Sequence, residues 1–157
     1  MKRIPVLAVL LALNLATARA EESHAGHPAP AADGRAVLEL TPGERAMILQ
    51  EMRMFLSGVQ AMTGALGQQD MPAAAAAARS LGQVMVHEVP PALRAKLPPE
   101  FRQLGFSVHR DFDQIALDAE SMKDVSHSLS QLSATLQKCV ACHAGYQIRQ
   151  AGLDDKH

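Results

Sequence analysis

The sequence predicts an all-α fold, an antiparallel four-helix bundle. Apolar residues recur at three- and four-residue steps in four segments, and helix start and stop signals bound these segments. No segment shows the polar–apolar alternation of a strand. Because the links between the predicted helices are mostly short, consecutive helices are expected to run antiparallel.

Residues 1–20 are predicted to form a secretory signal peptide. Lys2 and Arg3 give a positive start, and residues 4–15 form an apolar run too short to span a bilayer as a stable helix. Residues 18–20, Ala-Arg-Ala, are typical of a cleavage site. Cleavage there leaves 137 of the 157 residues, enough for one domain with one core.

The mature chain is expected to begin with a flexible lead-in, residues 21–37, in which Pro, Ala, Gly and His follow no period. His24 and His27 are interpreted as solvated residues of this segment rather than metal ligands. The folded domain is expected to cover residues 38–152, followed by a C-terminal tail, residues 153–157.

The composition excludes two classes of partner. Without residues 1–20 the chain has 12 basic and 16 acidic side chains, a net charge of −4. Such a chain has no electrostatic basis for binding nucleic acid. With one Tyr, four Phe and no Trp, it also lacks a stacking surface for sugars or bases.

The first predicted helix has the clearest start signal. Thr41 is placed as N-cap, a proline follows at the first helical position, and Glu44 completes a capping box. The helix is expected to end near Gly67. Its predicted inward face consists of Ile48, Leu49, Met52, Phe55, Leu56, Val59 and Met62.

Three further helices complete the predicted bundle. The second opens at Asp70 and stops before Pro90, and a connector over residues 90–99 follows. Asp124 or Ser126 caps the fourth, which is expected to end near Gly152. The predicted inward residues are Leu81, Val84 and Met85 on the second helix; Phe101, Leu104, Val108, Phe112, Ile115, Ala119 and Met122 on the third; and Leu129, Leu132 and Leu136 on the fourth.

The only two cysteines stand in the run Cys139-Val140-Ala141-Cys142-His143. C-x-x-C-H is the attachment signature of a c-type haem. Two thiols at this spacing form thioethers with the two vinyl groups of one porphyrin, and the adjacent histidine binds the iron as an axial ligand. The motif therefore predicts one covalent haem c, held by Cys139 and Cys142 with His143 as proximal ligand.

The cysteine pair has three other interpretations. A redox dithiol expects a βαβ context, which the surrounding sequence lacks. A structural zinc site needs four ligands and usually a second Cys/His pair. A plain disulfide is the third, and the predicted export signal favours covalent haem over all of them.

The haem ligand continues an apolar stripe. Leu132, Leu136, Cys139 and His143 follow one another at steps of four, three and four residues. The haem is therefore expected to be inserted into the bundle. Because little sequence follows the motif, any sixth ligand must come from an upstream helix.

A signal peptide, four predicted helices and a C-terminal C-x-x-C-H resemble the class II cytochromes c, which comprise cytochrome c′ and its methionine-ligated low-spin relatives. The resemblance covers Leu38 to Arg149 and is sharpest at Cys139–His143. It implies a periplasmic haem protein, with homodimerisation through the first two helices.

The resemblance also implies roles for residues outside the motif. Tyr146 matches an aromatic three residues after the haem histidine. The basic residue that often follows is replaced by Gln147, and Arg149, two positions later, is the candidate partner of a propionate. In the first helix, the family often has an Arg followed four residues later by the residue over the distal haem face. Arg45 and Leu49 fit that spacing.

The distal residue decides between two mechanisms. If Leu49 covers the iron, the site is five-coordinate and binds small gases such as nitric oxide or carbon monoxide. If a thioether reaches the iron, the site is six-coordinate with a raised potential suited to electron transfer. Met52 is the candidate thioether, while a core-filling role is the alternative for any methionine on such a stripe. His109 on the third helix is an alternative axial ligand.

The preferred interpretation is a periplasmic one-electron carrier that is not an enzyme, since no catalytic constellation is found. Its expected partners are redox proteins of the periplasm, with no nucleic acid and no membrane span after signal cleavage. A gas-binding haem protein is the second interpretation. A subunit whose main role is contact with a partner protein is the third.

Overall fold

The fold is known from a computed structural model, which describes residues 32–152 except the side chains of His87 and Glu88. The predicted signal peptide, residues 21–31 of the lead-in and the tail over 153–157 lie outside the described residues. The described part is mostly helical. In chain order its elements are β1 (Ala36–Leu40), α1 (Pro42–Gly67), α2 (Met71–Ser80), a 3₁₀ helix (Gln83–Glu88), α3 (Pro91–Lys96), α4 (Pro99–Met122), α5 (Val125–Gly145) and β2 (Tyr146–Gln150).

The expectation of no strand is wrong. β1 and β2 pair in parallel, with Ala36 opposite Tyr146 and Leu40 opposite Gln150. Strands of five residues are marginal alone and depend on their partner, and this partner lies about a hundred residues away in the chain. β2 also ends the last helix at Gly145 rather than near Gly152.

The predicted start of the first helix is confirmed. Thr41 adopts an extended conformation, its hydroxyl accepts from the Glu44 amide, and Glu44 Oε2 accepts from the Thr41 amide at 2.9 Å. Glu44 also pairs with Lys96 of α3 at 2.6 Å. Hydrogen bonds from Lys96 and from the Thr41 amide lower the pKa of Glu44. The capping box thus also ties α1 to α3.

Removing this cap should weaken the protein measurably. Thr41→Ala loses the side-chain acceptor of an N-cap, and we expect a loss of about 1 kcal/mol in the free energy of unfolding, measured by urea titration. Thr63→Ala is the matched control, because the Thr63 hydroxyl bonds only carbonyls of its own helix. A control loss as large as that of Thr41→Ala would contradict the capping role.

The second helix is shorter than predicted. It ends at Ser80, and the chain continues as the 3₁₀ helix. The cause lies on α4, where Asp113 Oδ2 accepts from the Gln83 amide at 3.1 Å. A Cβ atom on Gly82 would clash with the same carboxylate. Asp113 therefore holds the turn after α2. The predicted connector over residues 90–99 contains the short α3.

α2 packs against α1 and α4, and α4 packs against α5. α4 and α5 run antiparallel, because Asp111 contacts Lys138 while Asp118, further along α4, contacts the earlier Gln131. The main core is formed by Met62, Ala65, Leu66, Met71, Ala74, Ala75, Ala78, Leu81, Met85, Val108, Phe112, Ile115, Ala116, Ala119 and Leu132.

A second, smaller core lies where β1 and β2 meet α3 and the N-terminal turns of α1 and α4. It is formed by Leu38, Leu40, Ile48, Leu93 and Leu97, with Tyr146 and Ile148 against it. Because β1 leads into α1 and β2 follows α5, this core brings the start of α1 and the end of α5 to one end of the molecule. Among the described helices, none is long and apolar enough to cross a membrane.

Candidate functional site

The cysteines and the histidine of the motif lie on the last two turns of α5. Cys139 and Cys142 are half-buried and His143 is exposed. Both thiols are free, so the disulfide interpretation is not supported. Within residues 32–152, no three His, Cys, Asp or Glu side chains converge as a metal site. Among the described residues, the motif is therefore not joined by the further ligands that a zinc ion needs.

The thiols are neutral at physiological pH. Burial raises the pKa of Cys139, and burial together with the charge of Cys139 raises the pKa of Cys142. Catalytic and redox dithiols instead have thiols with a lowered pKa, because the thiolate is the attacking species. The pair is therefore poorly suited to thiol–disulfide exchange.

One side of α1 carries a row of residues that are mostly apolar. Arg45, Leu49, Met52 and Leu56 follow at steps of four, three and four residues, which places them on one side of the helix. Leu56 is 71% exposed, and the other three are half-buried. The side of α1 that faces α2 is different, since it includes Gly58, which Leu81 contacts closely.

α5 also carries an exposed apolar row. Leu129, Leu136 and Val140 are 45%, 38% and 69% exposed, although Leu132 on the same helix is buried. The opposite side of α5 faces α4, where Lys138 Nζ pairs with Asp111 at 2.5 Å. The row thus lies on the side of α5 that α4 leaves uncovered.

We call the apolar residues of these two rows the apolar rows: Leu49, Met52 and Leu56 of α1, and Leu136 and Val140 of α5. α1 and α5 make little direct contact along their described lengths. The row of α5 passes through the motif, since Val140 lies between the two cysteines.

The predicted inward orientation of Leu56, Leu129 and Leu136 is therefore wrong for this structure. Their stripes are helical as predicted, but these residues are exposed, and α1 and α5 make little direct contact along their described lengths. Val84 and Met122, also predicted to face inward, are 64% and 54% exposed. Val84 is on the 3₁₀ helix that replaces the end of the predicted second helix, and Met122 is the last residue of α4.

Tyr146 and Arg149 belong to β2 rather than to a continued helix. The Tyr146 ring packs edge-on against Phe101 at 5.1 Å between ring centroids. Arg149 Nε donates to Gln147 Oε1 at 3.3 Å. The roles that the resemblance implies for the two residues stay predictions.

His109 forms a buried polar pair with Glu51. It is 4% exposed. Its Nδ1 lies 2.8 Å from the Leu81 carbonyl oxygen, and its Nε2 lies 3.1 Å from Glu51 Oε1. The carbonyl cannot donate, and neither can Glu51 when it is ionised, so both contacts are then hydrogen bonds donated by a doubly protonated ring. Both nitrogens thus have hydrogen-bond partners, which argues against His109 as an axial ligand.

The pKa of His109 reflects these contacts. Burial alone lowers it, but the hydrogen bonds that the ring makes to Glu51 and to the Leu81 carbonyl outweigh burial and raise it above the ordinary value. The Phe55 ring lies 5.0 Å from the imidazole and 5.8 Å from Phe112, so the charged ring is packed among aromatic side chains.

α1 has four methionines, of which Met62 is buried in the main core. Met47 and Met54 line a groove of about 490 Å³ together with Met85 and Leu93. Met52 does not line this groove and belongs to the apolar row of α1.

Two contacts at this end of the molecule were not predicted from the sequence. Arg35, assigned to the flexible lead-in, donates to the His143 carbonyl at 3.3 Å. Asp111 accepts from Lys138, next to Cys139. No local signal predicts either contact, because each joins residues far apart in the chain.

In comparisons with protein-family models, curated proteins and solved structures, none matched this chain.

Proposed function

We propose that the protein is a periplasmic class II c-type cytochrome that carries one electron at a time, built as a four-helix bundle from α1, α2, α4 and α5. The observation that carries the proposal is a C-x-x-C-H motif on α5, together with exposed apolar rows on α5 and on α1, two helices that make little direct contact. A haem is a flat, largely apolar group, and covering exposed leucine and valine side chains is favourable.

The motif residues would hold the group. Each thiol would add across one vinyl group, with sulfur bonding to one carbon and the hydrogen passing to the other, so no oxidant is needed. Both cysteines are free thiols, so each has that hydrogen to give. His143 would supply the proximal imidazole, and its exposed ring is free of the hydrogen bonds that occupy His109.

The apolar rows of α1 and α5 would then become interior. Leu49 and Met52 would cover the distal side from α1, and Leu136 and Val140 would pack from α5. When bound, the haem iron supplies a one-electron couple between its ferric and ferrous states. The chain sets the potential of that couple through the axial residues, through burial and through nearby charge.

Gas binding is the second candidate function. Leu49 lies one turn before Met52 in the same half-buried row, so either residue is positioned to occupy the distal side. With Leu49 there, the iron would keep an open position for nitric oxide or carbon monoxide. With Met52 there, the thioether would close it.

The absorption spectrum of the purified holoprotein, oxidised and reduced, with and without carbon monoxide, tests both candidates. For the electron carrier we expect a low-spin spectrum with the weak far-red band of an iron–methionine bond, unchanged by carbon monoxide. Met52→Leu should remove that band and create carbon monoxide binding. Met54→Leu is the matched control, because Met54 lines the groove on the other side of α1.

A high-spin spectrum that shifts with carbon monoxide in the unmodified protein would reject Met52 ligation and favour gas binding. A far-red band that persists in Met52→Leu would assign the thioether elsewhere. Absence of any haem spectrum after expression with a c-haem maturation system would reject both functions. Homodimerisation and redox partners of the periplasm are proposed only on the resemblance.

A further inference from the structure

Arg35 reaches the last turn of the helix that carries the motif. Its Nη1 lies 3.3 Å from the His143 carbonyl oxygen and 3.5 Å from that of Tyr146. Arg35 and His143 are 108 positions apart in the chain. The contact therefore joins the segment before α1 to the proposed proximal ligand.

The guanidinium is itself held in place. Asp33 accepts from Arg35 Nε at 3.0 Å and from Nη2 at 2.6 Å, so the fork of the arginine is fixed in one orientation. Hydrogen bonds from Arg35 hold the pKa of Asp33 at about 2, so the carboxylate stays charged across the physiological range. Gln147 Nε2 also donates to the Arg35 carbonyl at 3.1 Å.

The end of α5 needs such a donor. The last four carbonyls of a helix lack partners within the helix, and the His143 carbonyl is among them. A cation near a helix C-terminus is also favoured by the helix dipole. No C-cap glycine follows, because α5 passes directly into β2 at Tyr146. The last turn is thus capped from outside, by Arg35 and the β1–β2 pairing.

We propose that Arg35, fixed by Asp33, is a positioning residue for His143, holding the last turn of α5 so that the imidazole keeps one orientation toward the haem iron. The inference rests on the proposed function. It adds a residue outside the helices, in a segment that the sequence assigned to the lead-in. A rigid last turn makes iron coordination by His143 independent of fraying at the helix end.

The test compares holoproteins that carry Arg35→Gln, Arg35→Lys or Arg79→Gln. Arg79 is the matched control, because it forms an exposed ion pair with Glu120 away from the motif. In Arg35→Gln we expect amide hydrogen exchange over residues 143–147 to be about two- to fivefold faster. We also expect a shifted iron–histidine stretching frequency and a shifted midpoint potential. Arg79→Gln should leave all three unchanged.

Arg35→Lys separates positioning from charge, because lysine keeps the charge but not the planar fork. We expect it to restore the midpoint potential and the iron–histidine frequency only in part. Full restoration of both, with exchange still fast, would reduce Arg35 to a nearby charge and overturn the proposal. Faster exchange without a changed iron–histidine frequency would make Arg35 a structural cap only, which also overturns it.

Failure of the proposed function gives a different result. If the unmodified protein has no covalent haem, the haem readouts vanish in every variant, and the positioning role falls with the function. Hydrogen exchange would still show whether Arg35 holds the end of α5. If haem is attached and Arg35→Gln changes neither exchange nor the iron–histidine frequency, the function stands and this inference fails.

Discussion

Replacing both cysteines, Cys139→Ala with Cys142→Ala, is expected to abolish covalent haem attachment completely. These are the only thiols in the chain, so no other residue can form a thioether. The measurement is haem staining after denaturing electrophoresis of protein expressed with a c-haem maturation system. We expect a stained band at the position of the unmodified protein and none for the double variant.

Ser133→Ala is the matched control for this experiment. Ser133 is exposed on the same helix, lies outside the motif and offers no sulfur, so its replacement should leave the stained band intact. A stained band in the double variant would show attachment at another site. Absence of the band in both the control and the unmodified protein would reject covalent haem altogether.

The second large effect is expected in the core. His109→Ala should reduce the free energy of unfolding by about 3–5 kcal/mol, because it leaves a buried charge and a buried carbonyl without their partner. The partners concerned are Glu51 and the Leu81 carbonyl, 3.1 Å and 2.8 Å from the ring. Urea unfolding near pH 6 measures the loss.

His127→Ala is the control histidine. Its side chain is 37% exposed and lies 3.4 Å from Asp118, so we expect a loss of no more than about 1 kcal/mol. Equal losses for the two variants would show that the buried pair has no special weight.

The effect of His109 should also depend on pH. Its pKa in the folded protein is raised above the unfolded value of about 6.5. The stability that the charged ring adds is therefore fully present below about pH 6.5 and is lost as pH rises through the folded pKa. We expect the stability difference between the unmodified protein and His109→Ala to shrink above that pH. In the Glu51→Gln background the pH dependence should flatten, and an unchanged dependence there would exclude Glu51 as its cause.

Local signals predicted the helical elements well where the responsible residues are neighbours in the chain. The Thr41–Glu44 capping box starts α1, Asp70 caps α2, and Asp124 caps α5. Each depends on contacts within about one helical turn. The C-x-x-C-H motif and its placement on the stripe of α5 were likewise readable, since both lie within a few residues.

Predictions failed where a distant partner decides the structure. β1 and β2 exist because they pair with each other, and Asp113 of α4 helps to end α2. A helical stripe also does not say whether another element covers it, which is why Leu56 and Leu136 are exposed despite their inward pattern. The buried contacts of His109 were not predicted for the same reason, because its partners Glu51 and Leu81 lie outside its own helix.

By itself, therefore, the sequence determined where most helices start, which residues share a helix face, and which chemistry the two cysteines and His143 suggest. Tertiary structure alone decided that Leu56, Leu136 and Val140 are exposed, and that Arg35 caps the helix carrying His143. The physical reason is the separation along the chain between the residues that interact. Caps and periodicities act over a few residues, whereas packing and strand pairing join residues whose separation in the chain leaves no local trace.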